Sequence, residues 1–277
     1  MKIAIVGSGI SGLVAGYHLN HNHDITVFES ESWIGGHTHT VKYDDLNIDT
    51  GFIVFNNRNY PNFKKLIESL KVDYRPTNMS FSVRNDSWKL EYNGNNLNSL
   101  FADRKNLFNY RFYKLLKDIY LFNKLVKNQK YSQLETLGSF IKRHNFSSWF
   151  NEGYILPMGS AIWSMGIKEM LDFPLEFFAK FFMNHGLLDV TNRPQWYTIT
   201  GGSSQYIKPL INKFKHKIYL KAKVESVERQ NDKVTVFVNQ EKIVFDKIIF
   251  ACHADQVLEI LKKPTNERGF IDKCNKT

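Results

Sequence analysis

Cysteine is nearly absent from this 277-residue chain, with Cys252 and Cys274 its only two. Two thiols exclude a disulfide framework and a multi-cysteine zinc site, and they suit a reducing compartment. No apolar run approaches the ~18 residues that a membrane-spanning helix needs. No spacing of His, Cys and carboxylates suits a metal, and no serine stands in a nucleophile elbow with Ser-His-Asp partners. Zinc-finger, RNP-type and basic-zipper patterns are missing as well, so nucleic acid is not expected as a partner. Lys2 followed by Ile3-Ala4-Ile5-Val6 imitates the start of a signal peptide. Glycines at 7, 9, 12 and 16 interrupt any apolar core of such a signal, and no small-residue cleavage site follows. The expected location is the cytoplasm.

What is present is a globular composition, 43% hydrophobic and 23% charged, with 22 Phe, 13 Tyr and 5 Trp to fill a core or line an apolar pocket. The length allows one large domain or two of ordinary size. The net charge of +10 invites an acidic partner, yet it is unevenly spread. Residues 1–60 hold three basic and six acidic side chains, whereas segment 104–130 holds eight basic ones against Asp118 alone. Within that segment Phe112, Leu115, Leu116, Ile119, Phe122, Leu125 and Val126 recur at helical spacing. The pattern predicts a core-packed helix with a solvated basic face. The sharper alternative is a basic amphipathic helix lying on a membrane surface.

Residues 2–6 read as a buried parallel strand, Leu13–Leu19 as a helix and Ile25–Phe28 as a second strand, which is one βαβ unit. Thr40–Tyr43 and Asn47–Asp49 follow as short strands around Asp44-Asp45. Helical patterns dominate from about 61 to 190, interrupted by a β-like stretch near 80–92. Gly201-Gly202-Ser203 opens a helix, and β-runs are expected at 218–229, 233–238 and 242–250, with a helix at about 254–262. This order predicts an α/β fold: a discontinuous Rossmann-like domain with a mainly helical insertion.

The chemistry gathers near the N-terminus. Gly7-Ser8-Gly9-Ile10-Ser11-Gly12 is G-x-G-x-x-G between a strand and a helix. Its glycines permit a tight turn, backbone approach to a pyrophosphate and close helix–sheet packing. The helix start offers free N–H groups and a positive dipole end to phosphates. The second strand ends in Glu29, whose carboxylate can accept from ribose hydroxyls and would repel a 2′-phosphate. A dinucleotide with an unphosphorylated ribose is the reading.

A nicotinamide-binding domain would continue β-α-β. Here Glu29-Ser30 leads instead to Gly35-Gly36-His37-Thr38 and then to Asp49-Thr50-Gly51-Phe52. These segments resemble the flavin-containing amine oxidase superfamily, which also takes in phytoene desaturases and protoporphyrinogen oxidases. The resemblance implies FAD as cofactor. By it, Gly35 and Gly36 return the backbone to the pyrophosphate, while Gly51 and Phe52 pass the flavin ring. Thr200–Ser203 is similar to the family's glycine pair before a re-entering helix. Lys223–Val227 is similar to its adenine-flanking strand, with Val224 contacting the base through its backbone. Leu156–Ser164, Asn184–Leu188, Arg193–Trp196 and Ala251–Gln256 resemble one bacterial, amine-oxidase-like branch. That branch is similar to the flavin domain fused to plant cyclopropane fatty acid synthases, which implies an apolar or lipid-derived small-molecule substrate.

Two departures from the family pattern stand out. His37 occupies the place where most members carry an arginine toward the pyrophosphate. The family's late strand, Gly-Asp and closing helix find no match after Lys263, so the expectation is a C-terminally truncated chain that holds FAD weakly. The expected division is an FAD-binding domain at 1–60 and 195–277, lacking its C-terminal part, and a helical substrate domain at 61–194. No catalytic side chain can be assigned. His185, His253 and Cys252 are read as structural, and Trp163, Trp196 and Phe173–Phe178 as core rather than as an aromatic box. The leading function is hydride transfer from a C–N or C–C bond to flavin. A redox-neutral FAD-binding module linked to lipid modification is the alternative, and an NAD-binding protein without flavin a third.

Overall fold

The computed structural model describes residues 1–128, 134–189 and 194–262, so Lys130, Arg193, Cys274 and segment 263–277 lie outside the described residues. Along the chain, β1 (Lys2–Val6), α1 (Ile10–Leu19) and β2 (Asp24–Phe28) form the expected βαβ unit. A hairpin follows, β3 (Thr40–Tyr43) and β4 (Leu46–Asp49), turning through Asp44 at φ 49°. After α2 (Pro61–Ser69) comes a second hairpin, β5 (Ser82–Asn85) and β6 (Leu90–Asn93). The longer helices are then α3 (Tyr110–Asn128), α4 (Leu137–Arg143), α5 (Leu156–Trp163) and α6 (Leu175–Asn184). The C-terminal part runs β7 (Ile218–Tyr219), β8 (Val224–Gln230), β9 (Lys233–Val238), β10 (Glu241–Phe245), β11 (Lys247–Phe250) and α7 (Ala254–Ile260).

Among the described residues two compact units result, the first from 1–54, 62–75 and 197–262, the second from 55–61, 76–128, 134–189 and 194–196. Helix α2 therefore belongs with the first unit, not with the helical segment that a boundary at 60/61 assigns it to.

The first unit carries a parallel sheet of order β7-β2-β1-β11. Ile5 lies between Val27 and Ile249 in register, and Ile3, Ala4 and Ile5 are all but sealed from solvent. Helix α1 lies close on this sheet because Gly16 has no side chain: a Cβ there would stand 3.3 Å from Ile25 Cδ1 of β2, and 2.8 Å from the Phe214 ring. A second, antiparallel sheet joins β8, β9 and β10, its first turn made by Asn231 and Asp232, both at positive φ, as a two-residue hairpin turn requires.

Two β-runs expected as single strands are each divided. Run 218–229 breaks at Lys221 (φ 51°). Run 242–250 changes sheets at Asp246, whose N–H donates to the Lys2 carbonyl at 2.8 Å while its carboxylate accepts from the Lys2 N–H at 2.7 Å. Strand β10 thus ends in the antiparallel sheet, and β11 begins the edge of the parallel one.

The second unit is organised by phenylalanine. Phe112, Leu115, Phe122 and Val126 of α3 are buried with Phe140, Phe150, Phe178 and Phe182. Asp118, the one acid of the basic segment, is not a surface counter-charge. It is buried and accepts from the Ser147 hydroxyl at 2.6 Å and the Ser147 N–H at 3.0 Å. Trp163 rings against Phe173, Phe178 and Phe181, which makes it core, whereas Phe177 is 56% exposed. Among the described residues no helix is long and apolar enough to cross a membrane.

Candidate dinucleotide site

Strand β1 ends at Val6, and Gly7 turns the chain at φ 100°, its N–H still donating to Phe28 O at 2.8 Å. A Cβ on Gly7 would stand 2.7 Å from the Ala251 carbonyl oxygen, because the end of β11 passes directly over the turn. Gly9 then caps α1 in an ordinary extended conformation, φ −65° and ψ 175°. No side chain caps this helix, and no acid stands in its first turn. The N–H groups of Ile10, Ser11 and Gly12 and the positive end of the helix dipole are thus presented together.

Glu29 lies beside this turn, 6% exposed. Its Oε2 accepts from the Ser8 N–H at 2.8 Å and the Ser8 hydroxyl at 2.6 Å. Its Oε1 accepts from the Glu31 N–H at 2.9 Å and the Ser30 hydroxyl at 3.2 Å. Burial pushes the carboxyl pKa up, but the four donors, led by the Ser8 hydroxyl, outweigh it and hold the group below its ordinary value. Ser8 therefore points inward, to position Glu29, rather than outward to a ligand. It also ties down the next loop, since the Gly35 N–H donates to Ser8 O at 3.0 Å.

The loop after Gly35 folds back on the turn: Gly9 and Gly35 bridge in parallel, and a Cβ on Gly36 would stand 3.1 Å from Gly9 Cα. His37 is exposed and its ring lies 6.2 Å from that of His253, the N-cap residue of α7. Thr38 is buried and hydrogen-bonds the Tyr206 hydroxyl. Gly51 and Phe52 sit against this segment: Phe52 N–H donates to His37 O at 2.9 Å, and a Cβ on Gly51 would strike that same carbonyl. The Phe52 ring meets Phe63 edge-on at 5.0 Å, and Phe63 meets Tyr206 at 5.5 Å.

Gly7 to Gly12, Glu29, Ser30, Gly35 to Thr38, Gly51 and Phe52 are thus brought into one region of the first unit. Val224 is buried at the start of β8; two residues before it, the Ala222 N–H donates to Glu29 O at 2.8 Å.

The sequence reading missed a second network there. Asp49 accepts from the Ser203 N–H at 2.8 Å, the Ser203 hydroxyl at 2.9 Å and the Thr40 hydroxyl at 2.5 Å. It fastens the β3–β4 hairpin to the turn at Gly202, a link across 154 positions that no local pattern signals. Cys252 is half-buried, its thiol pKa pushed up by desolvation, in keeping with an unreactive side chain. His185 stacks on Phe181 at 3.9 Å and pairs its Nδ1 with Phe181 O, a helix-end role. Among the described residues no group of three metal-ligating side chains occurs.

Residues 10–273 match the family described as flavin containing amine oxidoreductase. The chain belongs to that family. Among solved structures, a cyclohexylamine oxidase from Brevibacterium oxydans IH-35A superposes with a TM-score of 0.75 at 17% identity, covering 98% of this chain and 62% of that one. Putrescine oxidase bound to putrescine gives 0.73 at 15%, covering 99% and 63%. Both share the fold. A 4,4'-diapophytoene desaturase (4,4'-diaponeurosporene-forming) from Staphylococcus aureus strain Newman is 36% identical over 52 residues, 18% of this chain and 10% of the desaturase. The chain spans less than two thirds of the length of these solved relatives.

The Glu29 carboxylate supplies one prediction. A glutamine there keeps one acceptor oxygen but turns an NH2 toward donors, at least one of them a backbone N–H. Glu29→Gln should lower stability by about 1–3 kcal/mol near neutral pH. Because the folded-state pKa is depressed, the deficit is full above the ordinary glutamate value of 4.5. It should shrink as pH falls through the lower folded-state value. Urea melts of both proteins across that range check it, and a deficit that stays constant with pH would show that the charge is not what matters.

Proposed function

We propose that this chain is an FAD-dependent oxidoreductase of amine-oxidase type, accepting hydride from a C–N or C–C bond of a small, apolar substrate. The observation that carries the reading is at Gly9. Its backbone angles suit any residue, and a Cβ built there meets no atom within 4 Å. The fold itself therefore does not demand glycine at that position, whereas a pyrophosphate approaching the helix start does. The residues present fit FAD.

The N–H groups at the start of α1 would hold the pyrophosphate, and the turn at Gly35-Gly36 would close over it. His37, in place of the guanidinium, would offer a ring N–H donor rather than a planar fork of donors. Glu29 would take the ribose. All four of its acceptor directions are engaged by the chain, and the exposed Ser30 hydroxyl, at 3.2 Å the longest contact, is the one a ribose hydroxyl replaces. Flavin, when bound, supplies the hydride acceptor, and the protein's share is position, orientation and exclusion of water. Asp49 serves positioning, since it locks the segment leading to Gly51 and Phe52.

The test is a titration of the purified chain with FAD, following quenching of flavin fluorescence, with NAD as competitor. Anaerobic addition of primary amines and apolar olefins should follow. Saturable FAD binding that NAD does not displace, and loss of the yellow absorbance with one substrate class, are expected. Tighter NAD than FAD binding would overturn the flavin reading. A bound flavin that no substrate or chemical reductant bleaches would favour a redox-neutral module.

A further inference from the structure

In the second unit, helix α3 presents a face unlike the rest of the surface. Tyr110, Tyr113, Lys117, Tyr120, Lys124 and Lys127 recur every three or four residues and are all exposed, with Lys114 beside them. Just before the helix, Phe108 stands 93% exposed, next to the basic pair Arg104 and Lys105. The carboxylates that might neutralise this face are occupied elsewhere. Asp118 is buried against Ser147, and Asp103 accepts from the Lys105 N–H at 3.0 Å. Asp189 pairs with Lys127 at the far end. Among the described residues, Arg111, Lys114, Lys117 and Lys124 pair with no carboxylate.

At the N-terminal end of this face lies a cavity of about 380 Å³, lined by Arg111, Lys114, Tyr110, Ser147 and two tryptophans. Trp88 and Trp149 stack at 5.5 Å with 5° between their planes and form an aromatic wall. Arg111 donates from Nε to the Tyr110 hydroxyl at 3.2 Å, which fixes the guanidinium and leaves its terminal nitrogens for an incoming anion.

We propose that this face docks on an anionic lipid surface, with Phe108 entering the headgroup layer and the Arg111–Lys114 cavity holding one phosphate headgroup. Tyrosines and a protruding phenylalanine among lysines suit the boundary between headgroups and acyl chains, where an aromatic ring is half wet. A solvated helix face needs no such aromatics. A polynucleotide would satisfy the charge but gains nothing from a single protruding Phe108, and no carboxylates on the face select a basic protein. The inference stands apart from the flavin reading, since none of these residues belongs to the dinucleotide site.

Flotation of the full chain with vesicles tests it, using phosphatidylcholine alone against phosphatidylcholine with roughly one third phosphatidylglycerol. Binding only to the anionic vesicles is expected, lost on going from about 0.1 M to about 0.5 M NaCl. Each lysine should account for roughly fivefold in partition, so K114Q/K117Q/K124Q should weaken it about a hundredfold. Phe108→Ser should weaken it about tenfold with an unchanged melting temperature, as expected of an exposed residue. Arg111→Gln and Lys124→Gln remove the same charge, and the first should cost more if the cavity holds a headgroup.

Equal effects of that pair would remove the cavity from the proposal. Binding to neutral vesicles as strong as to anionic ones would overturn it. So would self-association that withholds α3 from vesicles, or saturable binding of inorganic phosphate or single-stranded polynucleotide without vesicle binding.

Discussion

Gly9→Ala should leave the folded chain almost as stable as before and weaken FAD binding by a hundredfold or more, while Gly12→Val should fail at folding. The two glycines of one motif are separated by what a methyl group would meet. At Gly9 it meets nothing within 4 Å, and the backbone there is ordinary extended chain. Loss of a glycine N-cap is the sole structural cost, about 1 kcal/mol at most. At Gly12 the same methyl would drive into the Gly7 carbonyl and lie 3.2 Å from Ala251 Cβ. Helix α1 would then have to leave the sheet, an overpacking cost of about 3 kcal/mol or more with valine's extra carbons. Thermal melts paired with FAD titrations distinguish the cases. A Gly9→Ala protein that binds FAD as tightly as the parent would remove the central support for the dinucleotide reading. A Gly12→Val protein with an unshifted melt would show that α1 has more room than its contacts indicate.

Phe122→Ala should have the largest effect on stability of any substitution considered for the second unit. The ring is fully buried and meets Phe150 at 5.4 Å, Phe140 at 5.7 Å and Phe146 at 5.9 Å. Its removal costs the transfer of the ring plus the cavity left among side chains too large to collapse, about 3–5 kcal/mol. Against a total stability of roughly 5–15 kcal/mol, that leaves a marginal fold. A fall in melting temperature of about 10 °C or more is expected. Loss of amide protection across α3 and α6 by hydrogen exchange is expected with it. Retention of protection there would mean that the cluster repacks around the gap.

Much of the first unit could be read directly from residues 2–36, because there the local signals agree. An apolar run of strand length, glycines at the turn, a helix and a second apolar run all specify one βαβ unit. The regions that were not legible each depend on a partner distant in sequence. Asp118 was countable only as a charge on a basic face. Its burial follows from Ser147, 29 positions away. The change of sheet at Asp246 is hidden in the sequence because Asp246-Lys247 reads as one polar pair inside a run that is apolar on both sides, Ile243–Phe245 and Ile248–Phe250. It is decided by hydrogen bonds to Lys2, at the other end of the chain. Helix α2 sits with the first unit although nothing in its own residues marks which unit it joins. The role of Ser8 was half legible: its position in the glycine motif marked it, but the inward turn of its hydroxyl depends on Glu29.

That inward turn bears on how a cofactor arrives. Because the Ser8 hydroxyl holds Glu29 and reaches the Gly35 N–H at 3.3 Å, while the Ser8 carbonyl accepts from that N–H at 3.0 Å, the loop over the helix start is fastened by the protein's own atoms before any nucleotide is present. Association then requires no loop to condense around the ligand, and the entropic penalty that slows and weakens coupled ordering is small. Ser8→Ala keeps the carbonyl bond but takes the hydroxyl from both partners, and the loosened clasp should show first in kinetics. The capture rate for FAD should fall and acquire a plateau at high concentration, the mark of an ordering step that the native chain completed when it folded.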